Sequence, residues 1–78
     1  MSTHSASDED RIHAAAEEMF DIVKGSLPEI LLEEIPLLLF VGEEGIAIDF
    51  MEPYYKDSND KLSKNSLDAI EELHKLKL

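Results

Sequence analysis

Three histidines, His4, His13 and His74, are the only side chains in the 78-residue sequence with an ordinary pKa near neutrality, so acid-base or metal chemistry must begin from them. His4 lies in a small, polar N-terminal stretch. His13 and Glu17 are four apart, the spacing at which a helix holds an imidazole nitrogen against a carboxylate. A nucleophilic arrangement would need a serine or a second base beside them, and none is placed locally. The chain has no cysteine, which excludes disulfides, thiolate catalysis and thiolate zinc sites. No nucleophile, base and orienting group can be assembled, so the expectation is a protein that is not an enzyme.

Longer spacings approach known ligand patterns without completing them. Glu71-Glu72-Leu73-His74 contains Glu-x-x-His, the pattern that four-helix di-iron carboxylate proteins use twice. Those sites also draw a glutamate from each of two further long helices, whereas this chain offers one other long helix. Asp57 to Asp68 places oxygen-bearing side chains at the first, third, seventh, ninth and twelfth positions of a calcium loop. Lys61 at the fifth and Leu62 at the sixth, where a glycine makes the turn, defeat that pattern. Asn65-Ser66-Leu67-Asp68 resembles the Asp-Ser-Leu of acyl carrier proteins, but Asn65 replaces the aspartate and only twelve residues follow Ser66. Gly25, Gly42 and Gly45 are assigned to a helix end and a turn, so no glycine-rich phosphate loop remains. Neither metal nor cofactor is expected.

The charge distribution carries more information. Eighteen acids against seven bases give a net charge of −11, which disfavours direct binding to DNA, RNA or anionic lipid. Residues 1–55 hold thirteen acids against Arg11 and Lys24, while residues 56–78 hold five of each sign. On helices, Glu17 and Asp21 are four apart, as are Glu29 and Glu33, an axial separation of about 6 Å. Glu18 and Glu34 flank these pairs, and Glu43 and Glu44 follow at a turn. The spacing is comparable with two phosphate steps of about 3.4 Å along a nucleic-acid strand. Like charges four apart repel by a few tenths of a kcal/mol per pair, a cost that a binding role would offset.

In size, acidity and lack of cysteine the chain resembles the small DNA-mimic inhibitors of the phage-encoded type. The resemblance implies a binding protein that blocks the DNA-binding surface of a basic partner. Glu17, Glu18, Asp21, Glu29, Glu33, Glu34, Glu43 and Glu44 form the expected contact set. A nucleoid-associated protein of the HU type, which reads DNA through its backbone and groove shape, is the favoured target over uracil-DNA glycosylases and restriction enzymes. The alternatives are an antitoxin or immunity-type inhibitor that wedges Tyr54 and Tyr55 into a basic nuclease, or an acidic surface that keeps a small dimeric domain soluble for an unrelated partner.

The elements that must position these residues are read from periodicity. Residues 1–7 are expected to be a disordered tail, and residues 8–78 a single small domain. Ser7 caps a first helix, whose stripe of Ile12, Ala16, Met19, Phe20 and Val23 closes at Lys24-Gly25. Ser26-Leu27-Pro28-Glu29 reads as a capping box opening a short helix from Leu27 to about Glu34, stopped by Pro36. Leu37–Val41 and Ile46–Phe50 read as the strands of a hairpin around Gly42-Glu43-Glu44-Gly45, followed by a loop over Met51–Asp60. Asn65 or Ser66 caps a last helix with a stripe of Leu67, Ile70, Leu73 and Leu76. The expected fold is α+β in the order α-α-β-β-α. An apolar strand at an open sheet edge needs cover, so a homodimer is expected. No apolar stretch approaches the roughly 20 residues of a membrane span. Met1-Ser2-Thr3-His4, running into Asp8-Glu9-Asp10, has neither the basic start nor the apolar centre of a secretory signal, so the expected location is cytoplasmic.

Overall fold

The stripe beginning at Ile12 forms a helix, but so does every other apolar run in the chain. A computed structural model describes the backbone of residues 3–77 and the side chains of residues 10–75. It contains α1 (Thr3–Val23), α2 (Glu29–Phe40), α3 (Glu44–Lys56) and α4 (Lys64–Lys77). Among the described residues there is no strand, so the expected α+β fold with its hairpin is replaced by an all-helical one.

Each correction has a local cause. Leu37–Val41, read as a strand, is the last turn of α2 and its C-cap. Ile46–Phe50, read as its partner strand, is the first half of α3, and the helix continues through most of the expected loop to Lys56. A short, continuously apolar run has no period to separate strand from buried helix. Pro36, expected to stop the second helix, and Pro53, within the expected loop, both lie inside helices. A proline leaves the carbonyl four residues earlier without its donor. The affected turns begin at Leu32 and Asp49, and all four residues are exposed, so both prolines sit on the solvent sides of their helices.

The turn residues serve helices as well. Gly42 has φ of +84°, and Glu43 N–H donates to the Leu38 carbonyl at 2.8 Å while Gly42 N–H donates to that of Leu39 at 3.3 Å. This is a Schellman ending of α2, with Gly42 at the left-handed position. Helix boundaries move accordingly. α1 begins at Thr3, so Ser7 is interior to it, and α2 begins at Glu29 behind an extended Pro28, with no side-chain cap from Ser26.

Ala15, Ala16, Met19 and Val23 of α1 pack with Ile35 and Leu39 of α2, with Ala47, Ile48 and Met51 of α3, and with Ala69 and Ile70 of α4. Leu27 and Leu62 close the core from the connecting segments. The alanines let helix backbones approach closely. α1 lies mainly against α4 and α3, and α2 mainly against α3. The expected α4 stripe is half right. Ile70 is buried and Leu73 partly so, Leu67 is exposed, and the Leu76 side chain lies outside the described residues. A strict spacing of three drifts about 60° around a helix at each step, whereas Ser66, Ala69, Ile70 and Leu73 hold one face. Among the described residues, no helix is long and apolar enough to cross a membrane.

Candidate partner-binding surface

The eight acids expected to meet a partner divide into those the fold presents and those it uses. Glu18, half-buried on α1, is used. One of its carboxylate oxygens accepts the Ser63 backbone N–H at 2.8 Å, and the other accepts the Ser63 hydroxyl at 3.0 Å and the Ser66 hydroxyl. Ser63 is the N-cap of α4, two residues before Asn65 and three before Ser66, the expected caps, and its Oγ also receives the Ser66 N–H at 3.4 Å. In an ordinary capping box the third residue of the helix reaches back to the N-cap N–H. Ser66 occupies that place and is too short, so Glu18 completes the box from another helix. Hydrogen bonds from Ser66 first and Ser63 second hold the Glu18 carboxyl below its ordinary range. The same contacts bury Ser66, which removes the surface a prosthetic arm would need.

Glu44 is also used. Its carboxylate lies 2.9 Å from His13 Nδ1, with the other ring nitrogen 3.3 Å from Glu17, the partner that the four-residue spacing anticipated. The hydrogen bond to Glu44, assisted by Glu17, raises the His13 pKa above its ordinary value.

Glu17, Asp21, Glu29, Glu33, Glu34 and Glu43 remain exposed. Asp21 and Lys24 form a surface ion pair at 3.4 Å. Glu17 and Asp21 stand on one wall of an open groove of about 660 Å³ between α1 and α2. His13 and Phe20 complete that wall, and Pro36, Leu39 and Phe40 form the other. On α2, Glu29, Glu33, Pro36 and Phe40 follow one another at helical spacing, so carboxylates continue the line of the groove's apolar wall.

Sequence reasoning missed the apolar part of this surface. Phe40 is 87% exposed, Ile30 74%, Val41 66% and Leu37 61%. A helix that is apolar all round is ordinarily buried all round, and α2 is apolar on both its inner and outer faces. The signal is present in the sequence, because Leu37–Val41 is too apolar to stand uncovered, but a run this short does not tell a strand edge from a helix face.

The other candidates resolve differently. Tyr54 and Tyr55 both pack on the core, and the Tyr55 hydroxyl accepts the Leu62 N–H at 3.1 Å, so this pair anchors the α3–α4 connection. His74 pairs with Glu52 of α3 at 3.2 Å, linking α4 to α3, instead of completing a ligand set with Glu71. Asp49, Glu52 and His74 each bring one ligand atom within 4.8 Å of the others, a cluster of a kind that exposed acidic groups commonly form without a metal. The Asp57–Asp68 stretch, whose sequence already departs from a calcium loop at Lys61 and Leu62, runs into α4 from Lys64. Comparison of the chain with protein-family models, curated proteins and solved structures finds no match.

Proposed function

We propose that the chain is a non-enzymatic acidic binding protein that covers the basic surface of a partner and so blocks that partner's access to DNA. The observation that supports this reading is the concentration of exposed acidic charge. Six exposed carboxylates, from Glu17 to Glu43, stand on α1, α2 and the α2–α3 turn with Lys24 the one base among them, whereas from the end of α3 onward exposed Lys56, Lys61, Lys64 and Lys75 are balanced by exposed Asp57, Asp60, Glu71 and Glu72. Such an array attracts a protein that draws its affinity from phosphate neutralisation, as the nucleoid-associated HU type does. Glu18 and Glu44 leave the contact set, because their carboxylates are committed inside the fold.

The test is a pull-down from bacterial lysate at low salt, with nuclease treatment, comparing the native chain with E17K/D21K/E29K/E33K. The expected result is one basic DNA-binding protein that persists after nuclease, is displaced by duplex DNA or moderate salt, and is lost with the variant while helical circular dichroism is unchanged. Equal recovery by the variant, or no such protein, would overturn the proposal. A second reading, an immunity-type inhibitor of a basic nuclease, is favoured by one observation. Phe40, rather than the tyrosines, is exposed as a wedge would be.

A further inference from the structure

We infer that the α1–α2 groove is the docking site for a cationic amphipathic helix of a partner protein, whose apolar side chains seat on Phe20, Pro36 and Phe40 and whose lysines or arginines meet Glu17, Asp21 and Glu33. This deepens the reading of the chain as a binder of basic proteins and rests on it.

Three observations select this occupant. The first is apolar exposure in the wrong place for a charge-only mimic. Phosphate imitation needs carboxylates and gains nothing from Phe40 standing 87% exposed beside Pro36, whereas a buried contact does. The second is shape. From His13 to Asp21 the α1 wall spans about 12 Å, more than two helical turns, and faces a second helix across an open trough. A trough between two helices takes a third helix, as in helix-in-groove recognition. An extended segment would add to a sheet edge, and the described residues form no sheet. The third is charge. Among the groove's lining residues the only basic group is His13, already held between Glu17 and Glu44. A second copy joined by a two-fold axis would set the same acidic face against itself, each chain carrying −11. A partner of opposite charge meets no such repulsion.

The probe is a fluorescently labelled synthetic peptide of leucine and lysine, about five helical turns long, with its leucines on one face. The control has the same composition, shuffled so that the leucines do not align. Affinity is read by anisotropy and location by amide chemical shifts of the native chain. The expected result is at least about tenfold tighter binding of the aligned peptide, with shifts clustered at residues 13–21 and 36–40. F40A, which alters an exposed side chain and keeps the native melting temperature, should erase that difference. Equal binding of the two peptides would mean attraction by charge alone, overturning the groove while leaving the wider proposal intact. Binding of neither, or shifts elsewhere, would also overturn it. So would sedimentation of the free chain at twice 8.8 kDa, reverting to one mass with F40A, because the occupant would then be a second copy. The wider proposal fails separately, if the lysate yields no basic DNA-binding partner.

Discussion

Glu18 shows how one carboxylate can look like surface charge in sequence and act as a joint in the fold. It sits among Glu17 and Asp21, which face solvent, yet it gathers donors from Ser63 and Ser66, more than forty positions away. Hydrogen bonds that satisfy the orphan N–H groups of a helix start are worth about 1 kcal/mol each. E18Q keeps the size of the side chain but removes the charge that three donors converge on. It should lower the melting temperature by about 4–8 °C, the equivalent of about 1 kcal/mol in a domain of this size. The matched change E17Q, next door but exposed, should move it little, so equal effects of the two would show that Glu18 caps nothing. Glu18 reads as surface charge in sequence because its neighbours there are acids, while its neighbours in space are the hydroxyls of Ser63 and Ser66. Only the packing of α1 on α4 distinguishes the two.

At the scale of elements, the chain's punctuation is correctly placed but its meaning depends on what it punctuates. Gly42 marks a reversal in either fold. In a hairpin it would sit in a two-strand turn, and in the structure it ends α2 with a left-handed backbone. Adding a Cβ there meets no atom within 4 Å, so G42A pays only the backbone cost of a left-handed L-residue, about 1 kcal/mol. Gly25 is equally open but has no positive φ, so G25A should be neutral or slightly stabilising. Thermal melts of the two variants separate conformation from space, and equal stabilities would contradict the Schellman ending. Pro36 and Pro53 misled for a related reason. A proline's usual cost is a lost helix hydrogen bond and a steric clash, and both prolines here stand on exposed sides of their helices.

For the molecule as a whole, two links from α1 titrate in opposite senses. His13 holds Glu44 of α3 and has a raised pKa, so its contribution is fully present below the ordinary value of 6.5 and is lost as pH rises through the folded value. Glu18 holds the start of α4 and has a lowered pKa, so its contribution is fully present above the ordinary value of 4.5 and is lost as pH falls through the folded value. Both are in force between about 4.5 and 6.5, where melting temperature should peak. Relief of the −11 charge on acidification also favours that side. The variants separate these causes. H13Q should flatten the alkaline limb and E18Q the acid limb of the melting profile, and a profile unaltered by H13Q would remove the His13 link from the account.

The sequence by itself determined the charge, its concentration in residues 1–55, the absence of thiol chemistry, the first helix with its apolar stripe, and the contact between His13 and Glu17. Each of these is a matter of composition or of spacing within one element, which local geometry decides. Tertiary structure alone decided that Leu37–Phe40 and Ile46–Phe50 are helical, because a short apolar run is compatible with either backbone until its neighbours offer helices or strands to pack on. It also decided which acids are free. Glu17 and Glu18 are adjacent in sequence and about 100° apart around a helix, and only the position of α4 turns that angle into the difference between an exposed carboxylate and a helix cap.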